Sequence, residues 1–171
     1  MEIRADIVDT GDKKKKSASI IVNAPISTIF NLLADPQMHP VIDGSQSVKA
    51  VIRGPKRLSL GAKFSMNMKI GVRYRITNRV VEFEEGTLIA WRHLGRWIWR
   101  YELMEITPTQ TVVTETFDAT KSPFNGWLEF RKAYPFTQIA VAKTLVSLKK
   151  YCEKPPISGG LRSPASLSNL V

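Results

Sequence analysis

The sequence has one cysteine, two histidines and no apolar run near the ~18 residues of a membrane span. With Cys152 alone, no internal disulfide can form, and a chain of 171 residues can bury enough core without one. Cys152 itself reads as a helix-end residue with no chemistry. His39, His93 and Cys152 match no metal-ligand spacing, so a metal centre is not expected. The loops GxxxxGK[ST], GxGxxG and GxSxG are missing, which speaks against phosphate-cradling, dinucleotide-binding and serine-hydrolase chemistry. RNA-module motifs are missing too, and no cofactor is expected. Residues 1–16 carry no apolar stretch of the secretory kind, so a cytoplasmic location is the default expectation.

What is present points to one packed domain: 43% of residues are hydrophobic and 23% charged, too apolar for a disordered chain. The net charge is +10, and residues 17–152 hold 18 basic against 10 acidic groups, so the excess is not confined to the ends. Such a surface attracts acidic partners. Arg73, Arg75 and Arg79 share one face of a strand-like segment, with Arg92, Arg96 and Arg100 on neighbouring ones. A solvated outer sheet face is the plainer reading. Peripheral contact with an anionic membrane is the alternative, and nucleic acid is disfavoured. The oligomeric state is left open.

Three regions follow from composition. The lysine run Lys13 to Lys16 places residues 1–16 in a flexible arm, residues 17–153 form the domain, and the Pro-, Ser- and Gly-rich residues 154–171 read as a flexible tail. Within the domain, residues 17–23 are a strand. Pro25 opens a helix whose Ile26, Ile29, Phe30 and Leu33 share a face, and Asp35-Pro36 stops it. A short helical turn is expected over 36–41. Six strands follow, at 47–53, 63–70, 72–84, 87–92, 97–106 and 111–118, with period-two alternation and short links. A long helix over 131–153 closes the chain, with Pro135 loosening its start. The fold class is α+β: a bent antiparallel sheet of about seven strands around a long C-terminal helix, with two short helices after the first strand.

Several stretches then carry a resemblance. SIIVNAPISTIFNLLADP, RVVEFEEGTLIAW at 79–91, TVVTETFD at 111–118 and AKTLVSLKKYCE at 142–153 occur in the order of the START-like, helix-grip (SRPBCC) superfamily. ADPQMHPVIDGS at 34–45 is similar to a form found in bacterial members. Together they resemble its polyketide cyclase/dehydrase and lipid-transport group over about residues 17–153. The resemblance implies an elongated cavity between sheet and helix with its mouth near the early helices. Members bind lipids, polyketides and other hydrophobic molecules, some as enzymes and many as carriers or sensors, so the fold alone does not choose between them.

The expected function is therefore binding of a hydrophobic small molecule, as carrier or sensor, in a cavity above ~300 Å³. Inward stripes rich in Met and aromatics supply its walls: Phe64, Met66, Met68, Tyr74, Ile76, Asn78, Trp97, Trp99 and Tyr101. Across from Trp99 and Tyr101, the helix should present Tyr134, Gln138, Val141 and Leu145, with Gln138 orienting the ligand. The alternative is a polyketide cyclase/dehydratase-like enzyme using cavity acid and base groups. Its candidates are His39 and Asp43, four residues apart, with Tyr74 and Glu115. Pro40 and Gly44 favour a loop at Asp43 rather than a helical pair. Glu115 faces either inward, needing a partner such as Arg73 or Arg75 or a neutral form, or outward in an ordinary ion pair. No strong catalytic constellation is present, so binding ranks first.

Overall fold

A computed structural model of the chain describes residues 3–154. The elements are β1 (Asp6–Val8), β2 (Lys15–Val22), α1 (Ile26–Ala34), a 3-10 turn (Pro36–Met38), α2 (His39–Ile42), β3 (Val48–Arg53), β4 (Lys63–Ile70), β5 (Val72–Glu84), β6 (Leu88–Arg92), β7 (Ile98–Thr107), β8 (Gln110–Asp118), α3 (Asn125–Phe130) and α4 (Ala133–Cys152). All strands form one antiparallel sheet in the order β1-β2-β8-β7-β6-β5-β4-β3. This is the helix-grip arrangement, with α4 packed on β2 and β8. Among the described residues no helix is long and apolar enough to cross a membrane.

The sheet has eight strands rather than seven because part of the expected N-terminal arm is structured. Asp6–Val8 pair with Ser19 to Ser17 of β2. The lysine run also enters the fold: Lys15 begins β2, and its Nζ lies 3.4 Å from Asp118 Oδ2. The opposite charge across the β2–β8 ladder gives this lysine a place that composition alone did not foretell. The expected tail, beyond Lys154, lies outside the described residues. Helix α3, between β8 and α4, was not foreseen; at six residues it is too short to show a period.

Alternation explains the strands and also their curvature. On β5, Ile76, Asn78 and Val80 point inward. The register then slips between Val80↔Trp91 and Glu82↔Ala90, leaving Val81 as an extra residue. After this bulge the odd positions turn inward, and the Phe83 ring meets Phe30 of α1 edge-on with 5.6 Å between centroids. Between β4 and β5 the chain reverses through Gly71 alone, at φ +73°, which a glycine adopts without strain.

The core lies between α1, α4 and the concave sheet face. Ile29, Leu33, Phe64, Val113, Val141, Leu145 and Leu148 are all essentially inaccessible to solvent. Gly44 marks the closest approach of two segments. A Cβ there would overlap the backbone of Lys143 on α4, while Gly44 N donates to Thr144 Oγ1 at 3.2 Å. Helix backbone cannot yield as a side chain could.

Gly44→Ala should therefore destabilise the protein by roughly 2–4 kcal/mol in urea denaturation. Gly126→Ala, in α3 with open space around it, should be neutral or stabilising by up to about 1 kcal/mol. Leu145→Ala should cost roughly 2–5 kcal/mol. Equal effects of the two glycine substitutions would contradict the close approach at position 44.

Candidate functional site

Between the sheet, the α2–β3 loop and α4 lies a cavity of about 110 Å³. Its walls are Met66 and Met68 of β4, Ile76 and Asn78 of β5, Trp91 of β6, Trp99 and Tyr101 of β7, and Glu115 of β8. The early helices contribute His39, Ile42 and Asp43, the loop to β3 adds Ser45, Ser47 and Val48, and α4 adds Ala140 and Thr144. The volume falls below the ~300 Å³ expected of a drug-sized pocket. The cause is visible in the walls: Trp91 stacks on His39 with centroids 4.7 Å apart, and the Trp91 and Tyr101 rings lie 5.4 Å apart, so large side chains occupy much of the space.

Six of the expected wall residues meet here: Met66, Met68, Ile76, Asn78, Trp99 and Tyr101. The others lie elsewhere. Phe64 sits behind the wall, edge-on to His39 and Trp91 at 5.3 and 5.7 Å. Tyr74 is near the exposed β4–β5 hairpin and 39% accessible. Trp97 precedes β7 and packs edge-on against His93 in a separate cleft with Phe124 and Trp127. Tyr134 donates to Asn125 Oδ1 at 2.8 Å. Gln138 donates to the Ser17 carbonyl at 2.9 Å, tying α4 to β2. Val141 and Leu145 are core.

The cavity face of α4 is thus a different stripe, formed by Ala140 and Thr144, four residues apart. Reading the helix by its largest apolar residues located the packing face. A cavity, however, opens where side chains are small, and Ala and Thr at that spacing were the available signal. Trp91, at the end of β6, was also missed, as were Ile42, Ser45, Ser47 and Val48 around α2 and the loop into β3.

Glu115 points inward and is only 1% accessible. Neither Arg73 nor Arg75 reaches it; both lie exposed on β5. Its Oε1 accepts from the Tyr101 hydroxyl at 2.7 Å, while Oε2 has no partner. Burial holds its carboxyl well above the usual range, with the Asp43 charge acting in the same direction and the Tyr101 hydrogen bond opposing. Burial therefore favours the protonated form of Glu115. Burial likewise raises the Tyr101 phenol.

His39 and Asp43 both reach the cavity but do not form a dyad. Asp43 accepts from Ser45 N, Ser45 Oγ, Ser47 Oγ and Val48 N at 2.9, 2.6, 3.3 and 2.6 Å, and so organises the loop into β3. His39 Nε2 lies 2.9 Å from the Leu33 carbonyl, which only accepts, so Nε2 carries the proton. Its Nδ1 has no partner. Burial lowers the imidazole to about 4, against the raising effects of the Leu33 bond and Asp35, so His39 is neutral.

These two groups bias stability in opposite directions. The folded His39 lies at about 4, below the ordinary 6.5, so the unfolded chain binds the extra proton between those values. Its contribution is complete above pH 6.5 and is lost as pH falls through 4. Glu115 lies above the ordinary 4.5, so its contribution is complete below that and is lost as pH rises. Relative to the parent at each pH, Glu115→Gln should gain stability as pH rises above 4.5. His39→Phe should gain relative to the parent as pH falls from 6.5 towards 4, by roughly 3 kcal/mol over that window. Urea denaturation of all three proteins across this range checks both slopes.

A family model described as polyketide cyclase / dehydrase and lipid transport matches residues 14–153. The uncharacterized protein Rv0088 of Mycobacterium tuberculosis (strain ATCC 25618 / H37Rv) is 42% identical over 151 residues, covering 86% of this chain and 66% of that protein. The chain thus spans just under two thirds of the length of that curated relative. Among solved structures, protein Ms6760 from Mycobacterium smegmatis superposes with a TM-score of 0.65 at 15% identity, covering 87% of this chain and 97% of the other. The Zhui aromatase/cyclase from Streptomyces sp. R1128 gives 0.61 at 16%, covering 81% and 93%. At these identities the likeness to solved structures is one of fold. With the family model covering nearly the whole described domain, this chain belongs to the polyketide cyclase/dehydrase and lipid-transport family.

Proposed function

We propose that the protein binds a small, largely apolar molecule non-covalently in the cavity between sheet and α4, as a carrier or sensor. The observation that carries this reading is the wall itself: Met, Ile and Trp side chains enclosing a few convergent polar atoms. A dry cavity of about 150 Å³ in another protein takes up benzene. The cavity here, at about 110 Å³, suits a molecule near the size of one ring. Met66 and Met68 have three flexible torsions each, so the wall can re-pack to admit somewhat more.

One observation favours a second reading. Glu115 is a buried carboxyl whose protonated form burial favours, with a hydroxyl donor beside it, the equipment of a general acid for dehydration or cyclisation of a carbonyl compound. The fold shared with an aromatase/cyclase is in keeping with such chemistry. Non-covalent binding ranks first because no strong base is poised beside this acid: burial lowers the His39 imidazole to about 4, and Asp43 is committed to its loop.

Native mass spectrometry of the purified protein should reveal a bound small molecule that leaves on denaturation. Ala140→Leu should fill the cavity from α4 and abolish that adduct, while changing stability by less than about 1.5 kcal/mol. An Ala140→Leu protein that still carries the same molecule would place the ligand elsewhere.

A further inference from the structure

We infer that the ligand presents a hydroxyl and a carbonyl on one small carbon frame, the hydroxyl donating to His39 Nδ1 and the carbonyl accepting from Glu115 Oε2. This rests on the binding reading above and narrows its chemistry. His39 and Glu115 are 5% and 1% accessible, face the same cavity, and are the side chains whose buried polar atoms lack a partner among the described residues. Each has its other heteroatom engaged, and that engagement fixes what the free atom offers. Nε2 donates to Leu33, so the neutral ring leaves Nδ1 as an acceptor. Burial favours the protonated carboxyl, and with Oε1 accepting from Tyr101 the proton of that form sits on Oε2 and makes it a donor.

One donor and one acceptor on cavity-lining residues therefore lack partners, in a wall whose other polar members are Asn78, Asp43, Ser45, Ser47 and Thr144. A ligand with neither group would leave both atoms desolvated and unpaired, the arrangement that binding sites reject most strongly. A carboxylate or phosphate is disfavoured as well: no lysine or arginine lines the cavity, and Asp43 stands at its wall. A neutral hydroxy-carbonyl compound, an acyl phenol for example, satisfies both atoms with no buried charge.

The test uses five probes of similar size: 4-hydroxyacetophenone, its 3-hydroxy isomer, acetophenone, 4-ethylphenol and ethylbenzene. Fluorescence of Trp91 and Trp99, both in the wall, reports binding. The hydroxyacetophenones should bind at least tenfold more tightly than ethylbenzene, with the single-group probes between. Glu115→Gln, whose amide keeps an N–H donor, should retain this ranking. Glu115→Leu should lose the advantage of the carbonyl alone, and His39→Phe the advantage of the hydroxyl alone. Equal affinities for all probes on the parent protein would mean that water satisfies both atoms, overturning this inference while leaving the binding reading intact. No binding of any probe would overturn both.

A separate observation lies at the end of the molecule where the β6–β7 loop meets α3. Leu94 is 94% accessible, Phe130 82% and Trp127 58%. The loop is a fixed turn, closed by Arg96 N to the His93 carbonyl at 3.0 Å and held to the α3 segment by Ser122 Oγ donating to the Gly95 carbonyl at 2.7 Å. Exposed Arg96, Lys121, Arg131 and Lys132 surround these apolar tips, while Glu129, the acid of α3, is paired with Lys13 at 3.1 Å. A second copy related by a two-fold axis would set these cations against each other. We propose that this end docks on an anionic lipid bilayer, the apolar tips entering the interface and the cations meeting the headgroups.

Cosedimentation at low salt should show binding to phosphatidylglycerol–phosphatidylcholine vesicles and little to phosphatidylcholine alone. The doubly substituted Leu94→Ser, Trp127→Ser protein should lose most of it, and Arg131→Glu with Lys132→Glu should lose it without altering the melting temperature. Three results would overturn the proposal: no preference for the anionic vesicles, undiminished binding by the serine variant, or a dimer in light scattering that Trp127→Ser dissolves.

Discussion

The ladder between β2 and β8 runs from Lys15↔Asp118 to Val22↔Thr111 and joins segments almost a hundred residues apart. It is reinforced at its centre by Ser17, whose hydroxyl donates to the Glu115 carbonyl at 3.1 Å and lies 2.9 Å from Thr116 Oγ1. Ser17 also offers its own carbonyl to Gln138 of α4. One short stretch of β2 therefore fixes the strand that carries Glu115 and the helix that faces it. The cavity depends on this arrangement more than on any wall residue, because the distance between β8 and α4 sets how much room remains beneath the helix.

Within that room, the polar groups are distinguished by what already holds them. Asp43 spends its carboxylate on four donors of its own loop. Glu115 has a single donor, and burial favours the form that keeps its proton. For His39 it favours the form that has shed one, and Trp91 and Phe64 fix its ring from two sides. Burial thus acts on Glu115 and His39 in one sense, favouring the uncharged form of each.

The strands were legible because period two survives in residues that face water on one side. β4 and β5 show this, and Met66, Met68, Ile76 and Asn78 could be placed in the wall from it. β8 was less legible. Val112 and Val113 point to opposite faces, and its outward positions are themselves half-buried, so the facing of Glu115 needed the neighbouring Tyr101 to decide it. Trp97 was misplaced because the strand starts one residue later and the loop turns it towards His93. On α4 the error came from scale. Large apolar residues mark where a helix packs, whereas Ala140 and Thr144 mark where it stands back. The strand in the N-terminal arm was not legible because β1, at three residues, is too short to show alternation.

The order of the elements also has a consequence during synthesis. α1 and α2, with the apolar face of Ile29, Leu33 and Ile42, leave the ribosome about a hundred residues before Ala140 and Thr144 of α4. At translation rates of about 5–20 residues per second, the nascent chain holds a floor without a roof for roughly 5–20 s. Its sheet edge at β2 stays unpaired for nearly as long, waiting for β8. An unroofed sheet of this kind exposes the surfaces on which chaperones act, so the growing chain is a natural client for them until its last helix emerges.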